Sequence, residues 1–334
     1  MSKERYQWLD TLRGIAIILV IVGHVIGGLE NIGGGSKNVV REVIYTFHMP
    51  LMFIISGYVA KEYNQKDGNK IEFLFNFIKK SIISLYIPYL IFGYLFWAVK
   101  FFIYAGNGTV TLADGLNLWW NYGAWIPGWY LLTLLIVRIL DILIQEIKIQ
   151  FEIIGVIWLV IYFLGSVINV YLISNICEFG IYYFIGRSLK KLKKEEISYK
   201  QLAISVIGLL IGSFVYINIS KYIGKLAIGS SVSVILFVVF SKYNIANGLI
   251  ALLGKNSMIP YTLHAYFTIP LRVILDKIGF QSLVFYTVTE TIAAILLSLI
   301  AIVLIQKVKI FNWVIYLFYP ARKDVGIKKS QIVQ

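Results

Sequence analysis

The sequence predicts an all-α integral membrane protein of about ten transmembrane helices, with both termini cytoplasmic. Three observations carry that prediction. The chain is 59% hydrophobic and only 14% charged, with a mean hydropathy of +0.77. Soluble chains average about 25% charged residues, so this one has more apolar surface than a water-soluble core can hide. Next, ten stretches approach the roughly 20 residues of helix that cross about 30 Å of hydrocarbon. Finally, Lys and Arg collect in alternate connections, as the positive-inside rule requires of cytoplasmic ones.

The ten stretches run 11–29, 43–61, 79–102, 127–145, 151–167, 169–187, 201–219, 224–242, 257–276 and 283–306. The first follows a short basic start, but the sequence after it is Gly-rich and lacks a small-residue cleavage site. It therefore reads as a retained helix, not a signal peptide. Only a short break near 166–170 separates the fifth from the sixth. With the N-terminus inside, the inner segments hold 24 Lys and Arg and the outer ones 6, Lys100 lying within the third stretch. The run "KKLKK" at 190–194 and the "KK" at 328–329 fix the sign of the inner side. That distribution accounts for the net charge of +14 through membrane topology, with lipids as partners and no nucleic acid. The longest outer loop, about 103–126, is too short for a soluble domain. One transmembrane domain over 1–334 is expected, with a short basic cytoplasmic tail from about 310. The lone Cys177 excludes an intramolecular disulfide and a Cys-cluster metal site. The Ile- and Lys-rich composition points to an AT-rich bacterial genome, and a multi-pass protein of a bacterial cytoplasmic membrane is expected.

The first helix, "LDTLRGIAIILVIVGHVIGG" at 9–28, carries three ionisable side chains, which are expensive in hydrocarbon. Arg13 and His24 are eleven residues apart, three turns plus about 20°, so they share a face and stand about 16 Å apart along the axis. Asp10, three residues before Arg13, can pair with it. An imidazole facing the bundle interior suits proton transfer near neutrality. An Arg at the inner surface suits a phosphate arriving from the cytoplasm. An acyl-coenzyme A, with phosphates at one end and a thioester at the other, fits such a track. A snorkelling Arg13 and a packing His24 are the structural alternatives.

The stretch "WLDTLRGIAIILVIVGH" resembles the opening of the membrane-bound acyltransferase 3 family, marked by Arg-x10-His on the first helix. Arg13 and His24 match it, as does the preceding Asp10. "FHMPLMFIISGY" (47–58), "IPYLIF" (87–92), "PGWYLLTLL" (127–135) and "SMIPYTLH" (257–264) resemble later family motifs in the expected order. The resemblance implies a ten-helix fold that transfers an acyl group, most often acetyl, from cytoplasmic acyl-CoA to a hydroxyl of a cell-surface or exported glycan or lipid-linked sugar. A C-terminal hydrolase-like domain, present in some members, is not expected. Many members carry Arg-x-x-Arg at the inner end of the third helix. This sequence has "FIKKSIISLYIPY" (77–89) there, so Lys79 and Lys80 would supply the positive charge without arginine's bidentate fork.

Further candidates each have two readings. His48 either assists the acceptor hydroxyl or supports a kink at Met49-Pro50. Glu290, an intramembrane carboxylate, either orients the His24 imidazole or binds a sugar. Glu178 is a second such carboxylate whose face the sequence does not place. His264 is expected at a different depth from the other two histidines. It either lines the CoA tunnel or bonds a carbonyl freed by Pro260. No metal is expected. Ser56 lacks the G-x-S-x-G of a nucleophile elbow. Trp119, Trp120, Trp125 and Trp129 form an interfacial belt or a sugar platform. A polytopic glycan or lipid transporter, or a receptor or assembly subunit without chemistry, stays open as a different class of function.

Overall fold

The computed structural model describes residues 6–29, 34–62, 69–103, 110–146, 149–192, 199–279 and 282–321. The regular elements among them are all helical. The basic tail beyond 321 and two lysines of the 190–194 run, Lys193 and Lys194, lie outside the described residues.

The apolar run of the first stretch forms α1 (Gln7–Gly28). The second forms α2 (Gly34–Tyr58), which starts well before 43. Its early turns are polar ("SKNVVRE") but hold no helix breaker, and hydropathy marks only the part suited to hydrocarbon. The third stretch is preceded by an amphipathic start. Helix α3 (Lys70–Ser81) passes through a π-helical turn (Ile82–Tyr86) into α4 (Ile87–Ile103). Pro88 explains the wide turn: it lacks an N–H, and its ring would collide with the carbonyl four residues back. A short α5 (Leu112–Leu116) follows, opened by a capping box between Thr111 and Asp114. Hydrogen bonds from Thr111 hold the Asp114 carboxyl below its usual range.

The remaining elements are α6 (Trp129–Glu146), α7 (Phe151–Gly165), α8 (Tyr171–Lys191), α9 (Tyr199–Asn218) and α10 (Lys221–Lys242), then α11 (Gly248–Lys255), α12 (Met258–Ile278), α13 (Leu283–Lys307) and α14 (Ile315–Phe318). Each of the expected spans is helical. Among the described residues, seven helices are long and apolar enough to cross a membrane: α1, α2 from Val39, α3 with α4, α6, α9, α10 and α13. Helix α7 is apolar but has 15 residues. Helices α8 and α12 are long but carry polar residues in mid-span, Asn175 and Glu178 in one, His264 and Arg272 in the other. Helix α11 was not anticipated, because it is too short to stand out in a hydropathy profile.

Helix α1 is the axis of the bundle and packs against α2, α10, α11, α12 and α13. Near its start, Thr11 Oγ1 accepts the Asn247 N–H at 3.1 Å, and the Asn247 side chain caps α11 through Leu249 and Ile250. Helix α2 packs against α8 and α10, and α8 in turn against α6 and α7. Helix α9 stands outside, against α10, and exposes Ile207, Leu210, Ile211, Phe214 and Ile217. An outward face of that composition belongs in lipid.

Helices α2 and α8 meet backbone to backbone. A Cβ on Gly57 would lie 2.0 Å from the Tyr183 carbonyl oxygen, and one on Gly186 would lie 2.0 Å from that of Ile54. Without a hydrophobic drive inside lipid, such close packing is a main source of helix association. One residue beyond Gly186, Arg187 donates to both oxygens of Asp141 at 2.9 Å and to Glu62 at 3.1 Å. This buried ion pair ties α8 to α6 and to the end of α2. Gly186→Ala is expected to force α2 and α8 apart and cost about 1–3 kcal/mol, the usual range for overpacking. The check is the thermal unfolding midpoint of the detergent-solubilised protein. A wild-type midpoint would mean that the two helices do not touch there.

Candidate active site

Because α1 is a single uninterrupted helix, Arg13 and His24 keep the relation that their spacing predicts, about 16 Å apart on nearly one face. Arg13 lies 3.7 Å from Asp10, and both side chains are largely shielded. At the other end, His24 lines a cavity of about 310 Å³. Four further helices complete its wall. Helix α2 contributes Tyr45, Thr46, His48 and Pro50; α6 contributes Trp129; α8 contributes Asn175, Glu178 and Tyr182; α10 contributes Lys225. Tyr122 enters from the segment before α6.

The three histidines converge. The His24 and His264 ring centres are 5.1 Å apart, with planes inclined by 32°. This corrects the expectation that His264 sits at another depth. Counting residues from the helix ends assumed that α1 and α12 start level, but α11 ends against α1 with Gly254 beside the Asp10 carbonyl and the Gly14 N–H, so α12 begins inside the bundle and brings His264 to the height of His24. The His264 Nδ1 atom faces the Tyr261 carbonyl at 2.7 Å and that of Pro260 at 3.1 Å. His48 Nδ1 faces the Ile44 carbonyl at 2.6 Å, and the His48 ring packs edge-on against Tyr45 at 4.9 Å. A carbonyl only accepts, so in both residues Nδ1 carries a proton and Nε2 of the neutral ring is an acceptor.

Between the histidines and the Arg13 end runs a line of rings. His264 lies 6.4 Å from Tyr261, and Tyr261 lies 5.5 Å from Tyr130. The Tyr130 hydroxyl is 3.2 Å from Ser56 Oγ, and both Arg13 and Arg138 exert their charge on it. The Arg138 guanidinium in turn lies 5.4 Å above the Phe77 ring. Lys79 and Lys80 follow Phe77 on the last turn of α3 and are exposed. The molecule thus presents arginine and lysine at one end, imidazoles at the other and phenols between.

A family model described as "Acyltransferase domain" (acyltransferase 3) matches residues 6–307, nearly the whole chain. The chain belongs to the acyltransferase 3 family. No curated protein and no solved structure matches it. It is therefore a multi-pass membrane acyltransferase. The transporter alternative, which helices and intramembrane charges alone left open, has no support from this assignment.

Glu290 does not face His24 in this acyltransferase. It is fully buried against Arg272 of α12, which donates to its two oxygens at 3.0 and 2.7 Å. The same guanidinium donates to the Val25 carbonyl at 3.1 Å, next to His24 in α1. Carboxylate and imidazole are thus linked through a helix backbone, not by contact. A Cβ on Gly28 would overlap Arg272 Nη1 at 1.8 Å, so the arginine reaches α1 because that position has no side chain. The sequence count placed Arg272 among the outer cations although it lies within the expected stretch 257–276; it sits inside α12, which carries on to Ile278.

Glu178 gains a place that the sequence could not give it: it lines the His24 cavity and feels the Lys225 charge. Among the described residues no hydrogen bond or ion pair engages its carboxylate. Of the four tryptophans of the outer segment, Trp129 borders the cavity, Trp125 is buried against Tyr89 and Tyr261, and Trp119 and Trp120 are exposed. Asn175, Tyr122, Lys225 and Arg138 were missed. Only Arg138 left a signal, as a lone cation within "TLLIVRIL".

Glu290→Leu and Arg272→Met are each expected to cost about 3–5 kcal/mol, since each leaves a buried charge without its partner. The double variant is expected to lose less than the sum. Unfolding midpoints of the four proteins form the cycle, and strict additivity would mean that the two side chains do not interact.

Proposed function

We propose that this acyltransferase moves an acyl group, foremost acetyl, from cytoplasmic acyl-CoA to a hydroxyl of a cell-surface or exported glycan or lipid-linked sugar. The observation that carries the reading is the two-ended polar face of α1, with Arg13 among basic residues and His24 in a cavity. Acyl-CoA spans such a distance with its phosphates at one end and its thioester at the other. Arg13 takes a phosphate, with Arg138, Lys79 and Lys80 adding positive charge nearby. Asp10 holds the Arg13 side chain in place. The pantetheine arm lies along Tyr130, Tyr261 and His264, and the thioester reaches His24.

The acceptor occupies the cavity beside His24. Its volume is near the lower end of the about 300–1,000 Å³ typical of ligand pockets, which suits a single ring. Glu178 and Asn175 offer hydrogen bonds to hydroxyls, His48 orients the reacting one and Trp129 offers a face for stacking. In one route, His24 removes the proton of the acceptor hydroxyl, whose oxygen attacks the thioester carbonyl. The C–O bond forms, the C–S bond breaks, and the CoA thiolate leaves and takes up the proton. In the other route, His24 itself displaces CoA and carries the acyl group until the hydroxyl attacks. The second route moves an acyl group outward while CoA stays inside. Both routes fit cytoplasmic termini and a bacterial cytoplasmic membrane.

The test is binding and turnover of acetyl-CoA by the purified protein. Wild type should release CoA. His24→Ala should bind the donor and turn over about 10²–10⁴-fold more slowly. Arg13→Ala should weaken binding by about 1.5–3 kcal/mol, roughly 10- to 150-fold, the worth of a charge-assisted contact. If none of the three binds or consumes any acyl-CoA, the reading fails. A mass increment of one acetyl group on the His24 peptide, obtained without acceptor, would select the covalent route.

A further inference from the structure

His264 is 1% exposed, and its Nδ1 proton is committed to the carbonyls of Pro260 and Tyr261. Nε2 is therefore a bare acceptor. It is buried and has no hydrogen-bond partner among the described residues. A buried polar atom left unmatched destabilises the fold, so its presence calls for a reason. The polar ring beside it is His24, with centres 5.1 Å apart. Two imidazoles joined by an N–H···N bond of about 2.9 Å have their centres about 5 Å apart, so the spacing of the two rings is that of a bonded pair. No hydrogen bond engages the His24 ring among the described residues. Glu178, the carboxylate that shares the cavity, makes no hydrogen bond to His24 among the described residues. Glu290, the carboxylate nearest in expectation, is taken by Arg272.

We propose that His264 is the positioning residue for His24: its Nε2 accepts the His24 N–H and fixes the tautomer whose other nitrogen points its lone pair into the cavity. The inference rests on His24 being the base or nucleophile, since either role needs that lone pair. It gives His264 the task that a carboxylate performs for the histidine of a Ser-His-Asp triad. When His24 gains a proton or an acyl group, the N–H shared with His264 spreads the positive charge over two rings. In the covalent route the proton can pass to His264 Nε2, leaving a neutral acyl-imidazole, and return when the acyl group departs.

Two substitutions in the full chain separate this role from a structural one. His264→Asn keeps an N–H for the Pro260 and Tyr261 carbonyls but removes the acceptor at the Nε2 position. His264→Gln places an oxygen near that position. The first readout is the rate at which diethyl pyrocarbonate modifies His24, followed by peptide mass spectrometry, which needs no substrate. The second is kcat and KM for acetyl-CoA. Asn should slow His24 modification about tenfold or more and lower kcat about 10²-fold or more, with a far smaller change in KM, since His264 also borders the donor. Gln should restore most of both. Wild-type behaviour of Asn, or equal loss in Asn and Gln, would overturn the proposal. If wild type consumes no acyl-CoA, the functional reading falls, while the order of modification rates still decides the pairing. If Asn does not fold, ¹⁵N-histidine spectra of wild type and His24→Ala decide instead. The His264 Nε2 resonance should move when its donor is removed, and an unmoved resonance would refute the bond.

Discussion

Hydrocarbon does not solvate ions, and every charged side chain inside this bundle has to be answered by another group or by a cavity. Helix α1 carries Asp10, Arg13 and His24, so it cannot stand at the edge. It is enclosed by α2, α10, α11, α12 and α13, while α9, whose only charge is Lys200 in its first turn, takes the outside. The arrangement of the bundle follows from this burden. Helices with mid-span polar residues lie inward, where their side chains meet, and helices without them face lipid.

The interior charges fall into two classes. Arg187 with Asp141, joined by the partly exposed Glu62, and Arg272 with Glu290 are closed sets in which each cation is paired with a carboxylate. Such pairs contribute little net stability compared with apolar packing, yet removing one partner is costly, so they fix which helices lie side by side. The second class is open. Glu178 and Lys225 line the His24 cavity without forming an ion pair with each other, and His264 Nε2 is bare. The closed sets hold helices together, and the open groups are available to a substrate.

Much of the fold was legible in the sequence, because hydropathy and the positions of Lys and Arg report directly on what must cross lipid. The stripe from Arg13 to His24 was legible because both residues lie on one helix, where spacing is geometry. What failed was inference between helices. Glu290 and His264 could be assigned a depth but not a neighbour. A depth estimate depends on how far into the bundle a helix begins, and α12 begins beside Gly14 of α1, where α11 delivers it, rather than at the membrane surface. Arg272, inside the expected stretch 257–276, was subject to the same limit, since its position near the helix end does not tell which carboxylate it meets. The cavity wall from α8 was also unreadable, because Asn175 and Glu178 look like defects in an apolar helix until the fold turns them inward.

The π-helical turn between α3 and α4 inserts one residue into what is otherwise a continuous helix. An insertion of that kind advances the azimuth of everything after it by about 100°. Tyr86 and Tyr89 lie at and just after the step, and their hydroxyls hold the carbonyls of Trp119 and Leu118 at 2.7 and 2.6 Å. The strap that these carbonyls belong to goes on to deliver Tyr122 to the cavity. One wall of the cavity is thus clocked by a phase offset in a helix that contributes none of its lining residues. A change of loop composition alone leaves that clocking intact, whereas a one-residue deletion in 82–86 would swing both tyrosines away from the strap they hold.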